Sequence, residues 1–312
     1  MGKIALLLAL ALLAGPARAE DSLRVGLSSQ ACFCFVPLPV GEAAGIWARH
    51  GLKIQQFALQ GDAQLQQGLA AGSIDIGLGS GPGMGFLAKG VPAKAVAAIA
   101  GPPADMALYV LANSPVTEPA GLKGARIAVS SPGSLTYWLV RRLADSQGWK
   151  LTDLTPVSLG NTGSMLAGAR SGAVGAVMGG LETALALSNS HEGRLLATMD
   201  KMVPHFLAHV MFATDALIAD HPDTLRRFLA GWFDTVAYID THPAETENAV
   251  TDAWKWQPGV STQSQALVMA AMSRDGRFDP SALTEVEQSL VDLAILPTKP
   301  DLARAIDTRF LP

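Results

Sequence analysis

Two stretches, one in each half of this chain, describe the same local event. Leu69-Ala70-Ala71-Gly72-Ser73-Ile74-Asp75-Ile76-Gly77 and Ala169-Arg170-Ser171-Gly172-Ala173-Val174-Gly175-Ala176-Val177 each read as a helix end, a glycine stop and a buried strand. A short apolar run that follows a helix and is bounded by turn residues belongs in a sheet covered on its faces. Finding that event twice in 312 residues implies two α/β units, and a chain of this length can bury two cores.

The surrounding pattern fills in both units. Leu23–Leu27 reads as a strand, and Ser28–Pro39 as a loop carrying both cysteines and two phenylalanines. A helix over Val40–His50 stops at Gly51, and the strand Leu52–Leu59 follows. Next come a short helix over Gln64–Ala71, a strand over Ile74–Leu78, a glycine-rich loop over Gly79–Gly85, a helix over Met84–Gly90 and a strand over Ala93–Ile99. This alternation predicts a parallel sheet with helices on its faces. Pro102, Pro103 and the strand Ala107–Ala112 lead into the second unit. There Gly124–Val129 is a strand, Ser134–Gln147 a helix capped by Ser131 or Ser134, Val157–Leu159 a strand, Thr162–Gly172 a helix and Ala173–Met178 a strand.

Phe206–Thr214 reads as a strand returning to the first unit. Pro222–Thr241 is an amphipathic helix with Leu225, Phe228, Leu229, Trp232, Phe233, Val236 and Ile239 on one face. Helices over Gln263–Ser273 and Ser281–Leu293 are expected to clad the first unit, with Trp254 and Trp256 packing nearby. The resulting division is 1–19 for an export segment, 20–106 for the first part of lobe 1, 107–205 for lobe 2, and 206–312 for the return to lobe 1 with the C-terminal helices.

The chain is 49% hydrophobic and 16% charged, a balance that excludes a disordered protein. Met1–Ala19 has one lysine, the apolar run Ile4–Ala14, and Ala17-Arg18-Ala19 with small residues at the positions signal peptidase reads. The run is short of the about 20 residues needed to span a bilayer. Leu13-Ala14-Gly15 is followed by Pro16 rather than cysteine, so a lipid anchor is not expected. Cleavage after Ala19 removes Lys3 and Arg18 and takes the formal charge from −4 to −6. A mildly acidic surface of that kind has no general attraction for nucleic acid.

With these motifs in this order (Gly45-Ile46-Trp47-Ala48-Arg49-His50-Gly51-Leu52, Leu69–Gly77, and Leu122–Val129 with Ser131-Pro132-Gly133-Ser134 after it), the chain from Leu23 to about Asp240 resembles the periplasmic substrate-binding proteins of nitrate, sulfonate, taurine and thiamine-pyrimidine uptake transporters. The resemblance implies an α/β class II periplasmic-binding fold, two doubly wound lobes joined by a two-strand hinge. It also implies a small organic anion held between the lobes, with sulfonate or taurine-like compounds first and nitrate, bicarbonate or pyrimidine precursors behind. A membrane permease would be the partner, the protein would be a periplasmic monomer, and no cofactor, metal or catalysis is implied.

Ligand contacts are expected on loops at the carboxyl ends of strands, where helix N-termini offer free N–H groups. Ser131 and Ser134 stand in that position in the second unit, as Ser80 and Gly81 do in the first. Gln30, Cys32, Phe33 and Phe35 follow the first strand, where the family presents contacts, and either phenylalanine can wall an organic group or anchor the loop. Glu182 is placed by the resemblance against a ligand amine, and by helix electrostatics as a solvated first-turn carboxylate. His205 and His209 flank the returning strand, with one able to face the cleft and a structural role expected.

Cys32 and Cys34 are the only cysteines. A bridge across one residue is strained, two thiolates alone do not make a closed zinc site, and no methionine or histidine motif adjoins to help hold copper(I), so a partly buried pair lining the loop is expected. Desulfinases of aromatic sulfinates share this fold and carry a nucleophilic cysteine in the corresponding loop, so a cysteine-dependent hydrolase is the alternative. Phe57–Gln67 supplies neither a histidine nor an arginine to activate such a thiol, and His50 is the nearest candidate in sequence.

Overall fold

The computed structural model describes residues 20–29 and 32–312. Met1–Ala19, expected to be an export segment, and Gln30 lie outside the described residues. Among the described residues, ten strands form two five-stranded sheets. They are β1 (Asp21–Leu27), β2 (Leu52–Ala58), β3 (Ile76–Ser80), β4 (Ala93–Ala100), β5 (Met106–Leu111), β6 (Arg126–Val129), β7 (Thr155–Ser158), β8 (Ala176–Gly180), β9 (Gly193–Thr198) and β10 (His209–Thr214).

The first sheet has the order β2-β1-β3-β10-β4 and the second β7-β6-β8-β5-β9. The two orders are the same pattern with one strand exchanged. β5 leaves the first half and enters the second sheet, and β10 leaves the second half and enters the first. The expected all-parallel sheet is therefore corrected to a mixed one. β1 pairs in parallel with β2 and β3, but β10 runs antiparallel to both β3 and β4, and β5 antiparallel to both β8 and β9. Each exchanged strand arrives from the opposite lobe and so enters its new sheet reversed.

The second sheet also contains an element the sequence pattern did not suggest. Every residue of β9 is half-buried, as on an edge strand with neither face sealed, so it shows no apolar alternation. The helix before it, Leu181–Asn189, was anticipated only at its start, through Glu182 as a first-turn carboxylate.

The predicted amphipathic helix spans Pro222–Thr241, and all seven residues of its expected apolar face are buried. Phe228 stacks on Trp47 with ring centroids 5.2 Å apart, and the Trp47 indole Nε1 donates to Leu38 O at 2.9 Å. The first lobe thereby holds the loop after β1 between its sheet and this helix. The C-terminal helices form over Val260–Val268 and Pro280–Asp292 and reach beyond the first lobe. Val260–Val268 packs on Leu181–Asn189, while Trp138 Nε1 and Arg141 Nη1 donate to Asp292 Oδ2 and O, both at 3.2 Å. Among the described residues, no helix is long and apolar enough to cross a membrane.

Two crossovers join the lobes, one between β4 and β5 and one between β9 and β10. They lie side by side, with Ala208 N donating to Ala100 O at 3.0 Å and Gly81 N donating to Ala208 O at 3.1 Å. A Cβ on Gly81 would stand 2.2 Å from Leu207 O. The glycine is thus required by a backbone passing over it, which a methyl group must displace. Gly81→Ala is expected to destabilise the fold by about 1–3 kcal/mol in a urea titration. An unchanged midpoint would show that the crossover gives way freely.

Candidate functional site

A cavity of about 450 Å³ lies between the lobes at the carboxyl ends of β1, β3, β6 and β8. The first lobe lines it with Ser28, Ser29, Gln60, Asp62 and Ser80, and the second with Ser130, Ser134, Thr136, Asn161 and Thr162. Cys32, Asp105 and His209 form its floor, where the loop after β1 meets the two crossovers. The rims approach closely. A Cβ on Gly61 would lie 3.6 Å from Ser131 Oγ, and one on Gly160 3.7 Å from Gln60 Oε1.

The second wall is a set of hydroxyls and helix N-termini. Ser134 caps the helix Leu135–Ser146 by accepting from Tyr137 N at 3.2 Å, and its own hydroxyl donates to Ser131 O at 2.7 Å. Thr136 Oγ1 lies 2.9 Å from the hydroxyls of both Ser130 and Ser134. Asn161 caps the helix Thr162–Arg170 through Ser164 N at 3.0 Å. Among the described residues, this wall carries no charged side chain.

The first wall carries a carboxylate. Asp62 opens the helix Asp62–Ala70 and accepts from Ser80 N at 2.8 Å and Ser80 Oγ at 2.6 Å. Burial raises its pKa above the usual carboxylate value, against the opposing pull of those two bonds. No arginine or lysine lines the cavity among the described residues.

The floor is a buried polar cluster. His209 Nε2 lies 2.6 Å from Asp105 Oδ2, and Cys32 Sγ lies 3.1 Å from that oxygen and 3.7 Å from His209 Nε2. β10 begins at His209, and its pairing with β4 shifts register between His209 and Val210, an irregularity of the kind that re-aims side chains beside functional sites. Burial alone would lower the imidazole pKa, but the Asp105 carboxylate outweighs it and holds His209 well above its ordinary value. Burial would likewise raise Asp105, and His209 holds it below. The pair is therefore ionic. Burial pushes the Cys32 thiol well up and the Cys34 thiol up to about 12. Both cysteines are free and protonated in this setting.

Of the residues expected to meet a ligand, Cys32, Ser80 and Ser134 line the cavity and Ser131 stands at its rim. Phe33 and Phe35 are fully buried behind Cys32, and Phe35 meets the His209 ring edge-on at 5.1 Å, so it braces the histidine. Gly81 packs under the crossover, outside the cavity lining. Glu182 is not solvated. It is 3% exposed, and its Oε1 accepts from Phe33 N at 2.5 Å.

Asp62, Asp105 and Asn161 were not singled out from the sequence. His209 was weighed as able to face the cleft, with a structural role expected, and it supplies from β10 the histidine that Phe57–Gln67 lacks. Asp105 carried one usable signal, since it follows the proline pair that marks the crossover.

Burial, reinforced by the Asp105 charge, pushes Glu182 up to about 8. The folded chain therefore keeps a proton that the unfolded chain releases near pH 4.5. The associated stability is complete below that pH and is lost as pH rises through about 8, at a slope approaching ~1.4 kcal/mol per unit. Glu182→Gln keeps an acceptor for Phe33 N and removes the titration. Urea midpoints between pH 5.5 and 8 are expected to fall more steeply in the wild type than in the variant, and parallel slopes would refute the assignment.

The family model described as NMT1/THI5-like matches residues 33–246. The fold is similar to the alkanesulfonate-binding protein SsuA from Xanthomonas axonopodis pv. citri bound to MOPS, at 19% identity over 92% of this chain and 98% of that one, with a TM-score of 0.79. It is similar to the periplasmic aliphatic sulphonate binding protein SsuA from Escherichia coli at 18% identity over 92% of each chain, with a TM-score of 0.76. A mutant of DSZB in complex with biphenyl-2-sulfinic acid aligns at 16% identity over 93% of this chain and 97% of that one, with a TM-score of 0.68. A search of curated protein sequences finds no match.

Proposed function

Because the chain belongs to the NMT1/THI5-like family, and its two lobes enclose a polar cleft, we propose that it is the exported substrate-binding component of an uptake transporter. It captures a small organic molecule by lobe closure and delivers it to a membrane permease. The observation that carries the reading is the division of charge across the cavity. One wall presents hydroxyls and the N-termini of Leu135–Ser146 and Thr162–Arg170, which suit an anionic group. The other presents the Asp62 carboxylate, which suits a cation. With no arginine or lysine in the lining among the described residues, a zwitterion is served at both ends and a simple anion at one. An amino-sulfonate of the taurine type has that charge pattern. A ligand bridging both walls binds the closed form alone and shifts the population toward it.

The competing reading is a cysteine-dependent hydrolase, and the 3.7 Å approach of His209 Nε2 to Cys32 Sγ favours it. Two features weigh against it. The Cys32 thiol is held protonated by burial, and the same His209 nitrogen that faces the sulfur is committed to Asp105.

Thermal shift and calorimetry with taurine, alkanesulfonates, nitrate, bicarbonate, pyrimidines and aromatic acids test the proposal. The zwitterion is expected to bind most tightly. Ser134→Ala should weaken it about tenfold, and Asp62→Asn should remove the preference for taurine over an alkanesulfonate of equal length. A preference for simple anions that survives Asp62→Asn would overturn the zwitterion assignment. Turnover of an aromatic sulfinate abolished by Cys32→Ser would replace the receptor reading with the enzyme.

A further inference from the structure

The floor of the cleft holds more chemistry than ligand capture uses. Cys32, Cys34, Asp105 and His209 each offer one donor atom, and the four atoms lie within 4.8 Å of one another. All four residues are buried. Asp105 Oδ1 and His209 Nδ1 are buried and without a hydrogen-bond partner among the described residues, as is Glu182 Oε2 just behind them. Unpaired polar atoms in such a place are costly, and their concentration around two thiols needs a reason.

We infer that Cys32, Cys34, Asp105 and His209 form a divalent metal site of the zinc class at the junction of the two crossovers. The donor set is two sulfurs, one imidazole nitrogen and one carboxylate oxygen, which selects zinc-like ions over magnesium or calcium. Ligand distances of about 2.0–2.3 Å put tetrahedral donors about 3.3–3.8 Å apart. The Cys32–His209 and Cys32–Asp105 separations of 3.7 and 3.1 Å are already close to that spacing. The Asp105–His209 contact, 2.6 Å, has to open, and it is the contact a metal would replace, while Cys34 Sγ lies within 4.8 Å of the other three donors.

The proton balance is definite. Before loading, two thiols, an imidazolium and a carboxylate sum to zero charge. Loading M²⁺ displaces both thiol protons and the imidazolium proton to solvent, and leaves a site with one net negative charge.

The sequence alone argued against metal here because no histidine adjoins the Cys-x-Cys pair. The histidine and the carboxylate arrive instead from the two crossovers, far away in the chain. Because donors come from the first-lobe loop and from both crossovers, an ion would fasten the pivot of the two lobes without occupying the space between Asp62 and Ser134. The inference goes beyond the proposed ligand and does not depend on it.

Cobalt(II) is the probe, added under anaerobic conditions to the mature protein with both thiols confirmed as reduced by mass. One equivalent is expected to give an intense near-ultraviolet thiolate-to-metal band and visible bands of tetrahedral strength, and zinc should abolish both. Cys32→Ser and His209→Gln, checked for folding by far-ultraviolet circular dichroism, should each weaken binding by at least about tenfold. Absence of the band in reduced wild-type protein overturns the site without recourse to any variant. A band that persists unchanged in His209→Gln and in Asp105→Asn also overturns it, because the metal would then be held by the thiols alone. Taurine-type binding is read separately by calorimetry, so either proposal can fail while the other stands.

Discussion

The Asp105–His209 ion pair is the contact on which the arrangement of the lobes depends. Its two side chains are 1% and 7% exposed, and each belongs to a different crossover. Removing two charges from water is expensive, and a buried pair need not add net stability. Removing one partner, however, strands the other charge at a cost of about 3–5 kcal/mol. The pair therefore specifies which backbones may lie together here more than it strengthens them. A circuit closes around it. Asp105 O accepts from Leu181 N at 2.8 Å at the start of the helix that carries Glu182. Glu182 holds Phe33 N, and the adjacent Cys32 returns to Asp105. Loop, helix and both crossovers are thus registered against one another by groups that water does not reach.

The two lobes repeat one topology and differ in chemistry. Corresponding helices open on the cleft with Asp62 on one side and an Asn161 cap on the other. Duplicated backbone supplies two similar sets of helix N-termini, and a few side chains then make one wall acidic and leave the other neutral. Selectivity in such a scaffold rests on loop residues, while the sheets do no more than hold them opposite each other.

Sequence reasoning recovered most of the elements because their signals are local. The glycine stops at Gly51, Gly72 and Gly172 and the apolar face of Pro222–Thr241 are written in short windows. It failed where position is set by distant partners. β9 has no pattern because an edge strand of uniform half-burial has no sealed face to encode. The reversed insertions of β5 and β10 follow from chain exchange between lobes, which no window contains. The site was legible in the same proportion. Ser134 and Ser80 follow strands and precede helices, which local grammar predicts. Asp105 and His209 belong to one contact separated by 104 residues, and nothing near either announces the other. Phe33 and Phe35 misled because an aromatic residue in a loop after a strand reads alike whether it faces a ligand or the core.

The C-terminal helices have a mechanical consequence. Val260–Val268 rests on Leu181–Asn189, and Asp292 receives Trp138 and Arg141, so the segment that follows the second crossover touches the far lobe at two separate places. Two strands alone would form a free pivot. These braces act as travel stops, and any swing of one lobe against the other must shear helix past helix.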